Sequence, residues 1–186
     1  MKKIIGFLVT SAILVFITLS SGAYNMAATE KHWAITEKII AWVRNNSIEA
    51  RAKEQQVPAM DNEWIRLQGA EHYSAMCTIC HLAPGMQPTE LSLGLYPQAP
   101  KFFERAPIKD QTEKLERAKA YFWVIKNGLK MTAMPAWGLS HDDDSIWAIA
   151  AFVLELNAMT PEQYRQIIQT AQDNSHDHAH QGHRHE

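Results

Sequence analysis

An all-α fold follows from three features of the 186-residue chain. No segment alternates polar and apolar residues with the period of a half-buried strand. Apolar residues recur instead at helical spacing, with charged residues between them. Ser, Thr or Asp stands before several of these runs and Gly or Pro after them, where helix caps and stops belong. No internal repeat interrupts the pattern. The apolar fraction, 46%, is that of an ordinary globular protein. A formal net charge of −2 supplies no basic field for nucleic acid.

The first element is a targeting segment. Lys2 and Lys3 precede a run without charge from Ile4 to Ala28, whose core, Ile4–Leu19, is strongly apolar. A cleaved signal peptide and a retained membrane anchor both fit, since ~20 uncharged residues span a bilayer. The anchor is the favoured reading, because apolar character fades gradually and no single cleavage site stands out. In either case the basic start stays cytoplasmic and the rest is exported, to the periplasmic side of an inner membrane.

The next helical segment, Lys31–Gln56, carries Trp33, Ile35, Ile39, Trp42 and Val43 near helical spacing, with a break expected at Asn45-Asn46-Ser47. Its simplest reading is a stalk or a helix packed on the domain. Pro58 ends it. Asp61 is then expected to cap a helix running from about Asn62 into Cys77. Residues 82–111 read as a long loop rich in Pro and Gly, of a length that usually wraps something. Thr112–Asn127 is helical, with Leu115, Ala118, Phe122 and Ile125 on one stripe and Gly128 at the C-terminal stop. Ser140 is expected to cap "DSIWAIAAFVLEL", a helix so apolar that it must be buried. Thr160-Pro161 opens a last short helix.

The chemistry concentrates at Cys77-Thr78-Ile79-Cys80-His81, which holds both cysteines of the chain. A zinc site would need about four ligands, and no second cysteine pair exists. A thioredoxin-like redox pair would need a βαβ setting. A disulfide at helical i,i+3 has poor geometry. Covalent haem uses every position of C-x-x-C-H as it stands. On one helical turn Cys77, Cys80 and His81 share a face, so two thioether bonds and one imidazole reach the same macrocycle. The iron's sixth ligand is then sought among methionines, whose thioether raises the potential and suits electron transfer. Met134 is first choice, on an irregular segment stiffened by Pro135, with Met131 in reserve.

With these residues in hand, the chain resembles class I cytochromes c. The resemblance rests on CTICH, on "NGLKMTAMPAWGLS" and on "DDSIWAIAAFVLEL", and spans roughly residues 61–157. "CHLAPG" with "GLYPQAPKF" also resembles exported or membrane-anchored bacterial mono-haem cytochromes. The resemblance implies an all-α cytochrome c fold around one covalent haem c, in which the first and last helices cross. It implies Gly69 and Tyr73 at that crossing, packed by Trp147 or Phe152. It also implies that His81 donates Nδ1–H to a proline carbonyl, best matched by Pro100. The aromatics Phe102, Phe103, Phe122, Trp123, Trp137 and Phe152 are expected to pack around the haem slab, all but one or two of them as plain core. Tyr96, Trp123 and Trp137 are candidate donors to a propionate.

The expected organisation is a signal peptide or anchor (1–28), a juxtamembrane helical segment (29–60), the cytochrome c domain (61–159), and a short helix with a disordered tail (160–186). The tail's His176, His178, His180, His183 and His185 suit capture of a divalent transition metal or plain solvation. The function expected is single-electron transfer between redox protein partners in a respiratory or dehydrogenase-linked chain, without catalysis by the protein itself. Two alternatives stand beside it: a cytochrome subunit of a membrane dehydrogenase or oxidase, and a haem-based sensor or metal-handling protein.

Overall fold

The structure, a computed structural model, describes residues 1–181, with side chains for residues 1–174. Its helices are α1 (Lys2–Ser20), α2 (Ala34–Ala52), α3 (Glu63–His72), α4 (Thr78–His81), α5 (Glu90–Gly94), α6 (Gln111–Asn127), α7 (Asp143–Glu155) and α8 (Pro161–Gln181). A π turn, Tyr73–Cys77, joins α3 to α4, and short 3-10 turns occupy 102–104, 137–139 and 156–158. No strand occurs among the described residues, as the sequence predicts.

The chain divides into two units, Met1–Ile40 and Ala41–Glu186, with the boundary inside α2. In the first, α1 buries no residue and is long and apolar enough to cross a membrane, a test that signal sequences also pass. Its 19 residues rise ~28 Å, close to the ~30 Å hydrocarbon thickness. Beyond it, the Tyr24 hydroxyl lies 2.7 Å from His32 Nδ1 and the Tyr24 ring meets Trp33 edge-on.

In the second unit the core forms around α7. Ile146, Ile149 and Phe152 are sealed from solvent, as is Leu156 just beyond the helix. Each such side chain contributes about 1.5–3 kcal/mol on burial. Helix α3 packs on one side of α7, α6 packs against another, and α8 lies against α3. The α3–α7 crossing is close because Gly69 has no side chain. A Cβ there would run into the backbone carbonyl of Ala148 and come within 2.8 Å of the Phe152 Cβ. Tyr73 and Phe152 meet beside this contact, ring centroids 5.6 Å apart, and Phe122 stacks on Trp147 at 4.0 Å.

Several sequence expectations shift at helix ends. Asn62, not Asp61, caps α3, accepting from Trp64 N at 2.8 Å, while Asp61 faces Lys114. Asp142, not Ser140, caps α7, accepting from Ser145 N at 2.8 Å. Those bonds from Ser145 hold the Asp142 carboxyl below its ordinary range. Ser140 instead lies against Trp137 O and His141 Nδ1. The carboxylate and the amide sit at the position whose extended backbone aims them at the free N–H groups. Helix α2 runs unbroken through Asn45–Ser47, where no Gly or Pro stands to stop it, and Ser47 accepts from the Arg51 side chain one turn on. The loop at 82–111 holds α5, started by a reciprocal cap between Thr89 and Ser92.

The apolar stripe expected here stays largely exposed: Trp33, just before α2, and Ile35, Ile39, Trp42 and Val43 on it are each half exposed or more. Helix α8 extends further than a short helix, since no Gly or Pro stands between Glu162 and Gln181 to stop it. Metal capture by His176, His178 and His180 falls outside the described side chains, and His183 and His185 lie outside the described residues.

Candidate haem site

Local structure aims the CTICH turn at a cavity. The π turn at 73–77 adds a residue to the helix where it runs into the motif, ending on Cys77, and α4 resumes at Thr78. Three side-chain bonds then hold the turn. Tyr73 Oη donates to Leu82 O at 2.7 Å, Thr78 Oγ1 donates to Ser74 O at 2.9 Å, and Thr89 Oγ1 donates to Ile79 O. The Tyr73 bond is fully buried and holds Leu82 at a φ of 58°. Tyr73→Phe would leave the Leu82 carbonyl without its partner, a loss of about 1–3 kcal/mol. The expected result is a lower denaturant midpoint with an unchanged slope, read by equilibrium unfolding.

The cavity has a volume of about 380 Å³. Cys77, Cys80, His81 and Met134 all lie on its wall, so the four residues singled out in the sequence converge on one space. The two thiols form no disulfide. Burial, with Cys80 adding to it, pushes the Cys77 thiol up to about 12. His81 Nδ1 lies 2.8 Å from Pro100 O, the acceptor expected from the sequence. A carbonyl can only accept, so the proton is on Nδ1 and Nε2 keeps its lone pair. Burial lowers the His81 pKa, the Pro100 bond opposes that shift, and Arg105 adds to it. The ring is further fixed by Phe102, stacked at 4.8 Å between centroids.

Met134 reaches the wall through its loop. Leu129 N donates to Met134 O, Thr132 Oγ1 donates to Leu129 O, and Met134 N donates to Thr132 Oγ1. Gly128, at a φ of 66°, lets this strip of backbone pass, since a Cβ would come within 2.8 Å of Met134 O. Met131 is 74% exposed and is not among the wall residues. Of the expected aromatics, Phe102 and Trp137 line the cavity. Phe122 and Phe152 belong to the α7 core, and Phe103 packs against its margin. Among the candidate propionate donors only Trp137 is on the wall; Tyr96 and Trp123 are not.

The remaining wall is mostly apolar, with Leu95, Val124, Ile125, Leu129, Ile149 and Val153. Two thiols, an imidazole with a free lone pair, a thioether and apolar walls are a donor set and a surrounding that fit haem c. The model of the family described as cytochrome c oxidase, cbb3-type, subunit III, matches residues 66–153. Residues 66–153 are a mono-haem c-type cytochrome domain. No curated protein and no solved structure matches the chain. The cytochrome domain therefore runs from within α3 to within α7, binds haem c covalently, and serves electron transfer with redox partners.

Sequence reasoning missed part of the wall. Arg44, Asn45 and Ile48 come from α2, outside the matched span, and Arg105 and Tyr121 come from the 102–104 turn's end and α6. Arg105 donates to the Tyr121 hydroxyl at 2.9 Å and lies over the Phe102 ring. These residues sit off the apolar stripes, which is where periodicity looks.

Proposed function

We propose that the chain is a membrane-anchored carrier of single electrons, with Cys77 and Cys80 as the thioether residues, His81 as proximal ligand and Met134 as distal ligand. The convergence of these four side chains on one cavity carries the reading. The haem supplies one-electron Fe(III)/Fe(II) cycling. The protein's part is to hold that centre still, exclude water from its faces and leave no open position for substrate. Pro100 fixes the His81 tautomer and Phe102 fixes its rotation. The Leu129–Met134 bond and Gly128 fix the thioether's approach. Helix α1 supports an inner-membrane anchor with the domain on the periplasmic side, since Lys2 and Lys3 favour the cytoplasm.

The test is spectroscopy and potentiometry of the whole chain. One haem attached through two thioethers, a single n = 1 wave and no carbon monoxide binding by the reduced form at neutral pH are expected. Carbon monoxide binding would overturn the closed distal position and favour a sensor. A second reading, a cytochrome subunit of a membrane oxidase, is favoured by the description of the matching family and by α1. It predicts recovery from gently solubilised membranes at fixed stoichiometry with an oxidase. A free carrier predicts recovery alone.

A further inference from the structure

Helix α2 lies outside the matched cytochrome span, yet Arg44, Asn45 and Ile48 belong to the cavity wall. These three share one side of α2, and Ala52, buried, continues that side. The opposite side carries the exposed stripe with Trp42 and Val43. Among the described residues, no other helix makes an extensive contact with α2. The side of α2 that faces inward thus faces the cavity, and Arg44 and Ile48 remain only half buried there.

The charges on the wall are as selective as its position. Arg44 and Arg105 are the only Arg, Lys, Asp or Glu side chains among the wall residues. Haem is an apolar slab that carries two carboxylates, and a carboxylate drawn out of water needs a cation or several N–H donors. Arg105 is already engaged by Tyr121 and Phe102. Arg44 has one bond, from Nε to the neighbouring Asn45 Oδ1 at 3.2 Å, and no carboxylate partner among the described residues. A guanidinium offers five N–H donors, so the fork of Arg44 is the uncommitted cation of the site.

We propose that α2 is a wall of the haem site and that Arg44 positions and neutralises haem carboxylate, which raises the reduction potential. The inference rests on the haem reading above. A cation at the site favours the reduced form, which carries one more negative charge, so its loss lowers the potential.

The experiment is potentiometry on the full-length, haem-loaded protein in detergent, with Arg44→Gln, Arg44→Lys and Arg51→Gln. Arg51 is on the same helix, loses the same charge, bonds to Ser47 and is not on the wall. Arg44→Gln is expected to shift the one-electron equilibrium threefold to tenfold toward the oxidised form, tenfold being ~59 mV. Arg44→Lys should restore most of the shift, and Arg51→Gln should move it less than twofold. Equal shifts for Arg44→Gln and Arg51→Gln, or no shift for Arg44→Gln, overturn the proposal. Haem content and the thioether–iron band, measured on the same samples, separate the two failures. Their absence in wild type sinks the haem-site reading as well. Their presence with an unmoved potential sinks the role of α2 alone.

Discussion

Replacing Met134 by alanine should abolish the weak thioether–Fe(III) charge-transfer band and open the reduced protein to carbon monoxide, while Met131→Ala leaves both unchanged. The contrast follows from placement. Met134 is on the cavity wall and three hydrogen bonds close its loop. Met131, three residues earlier, is 74% exposed at a left-handed φ of 60°. Methionine ligation raises the potential of a His-ligated haem, so its loss should lower it. An effect of at least a hundredfold in the one-electron equilibrium is expected, ~120 mV at ~59 mV per tenfold. Absorption in the far red and potentiometry on the same samples decide it. A band that survives in Met134→Ala and vanishes in Met131→Ala reverses the assignment.

Gly69→Ala should be the most destabilising single methyl addition at the helix crossing. The added Cβ would meet backbone, with the carbonyl carbon of Ala148 at 2.7 Å and the Phe152 Cβ at 2.8 Å, and neither can swing aside. Helices α3 and α7 would have to separate, loosening Tyr73 against Phe152. Overpacking usually costs ~1–3 kcal/mol, and a backbone collision belongs at the top of that range or above it. A fall in Tm of roughly 10–20 °C is expected for a domain of this size. Gly94→Ala is the control, because a Cβ there meets nothing within 4 Å. It should leave Tm unchanged or slightly raised. Equal Tm values for the two variants would mean that the crossing tolerates a wider separation.

Burial by protein and the cavity-facing CTICH turn were legible in the sequence, whereas the share of α2 in the cavity wall was not. The run from Ile146 to Leu154 is apolar on every face, and all nine of its residues are buried. Ala118, Phe122 and Ile125 repeat at helical spacing and fill the core, while Leu115 at the start of the same stripe stays exposed. CTICH carries its own geometry, and the acceptor role of Pro100 came through the family resemblance. Helix α2 misled for a physical reason. Periodicity marks the stripe Ile35, Ile39, Trp42 and Val43, but that stripe is exposed, and the wall is made by Arg44, Asn45 and Ile48. A polar residue facing a cofactor has the same sequence signature as one facing water. The π turn was equally hidden, since one added residue leaves no compositional trace. The caps of α3 and α7 were misplaced by one and two residues because adjacent Asp, Asn and Ser all qualify, and backbone geometry chooses among them.

The stack behind His81 bears on speed as well as affinity. Pro100 holds one edge of the imidazole, Phe102 covers a face, and Arg105 over that phenyl ring ties the pair to Tyr121. With the ring held along one edge and one face, gain and loss of an electron would leave few nuclei to rearrange around the proximal ligand proposed here. Such a centre would have a small reorganisation energy. Its turnover would then be governed by how often partners collide in a productive orientation, which makes the surface around the cavity mouth the place where selection can act on rate.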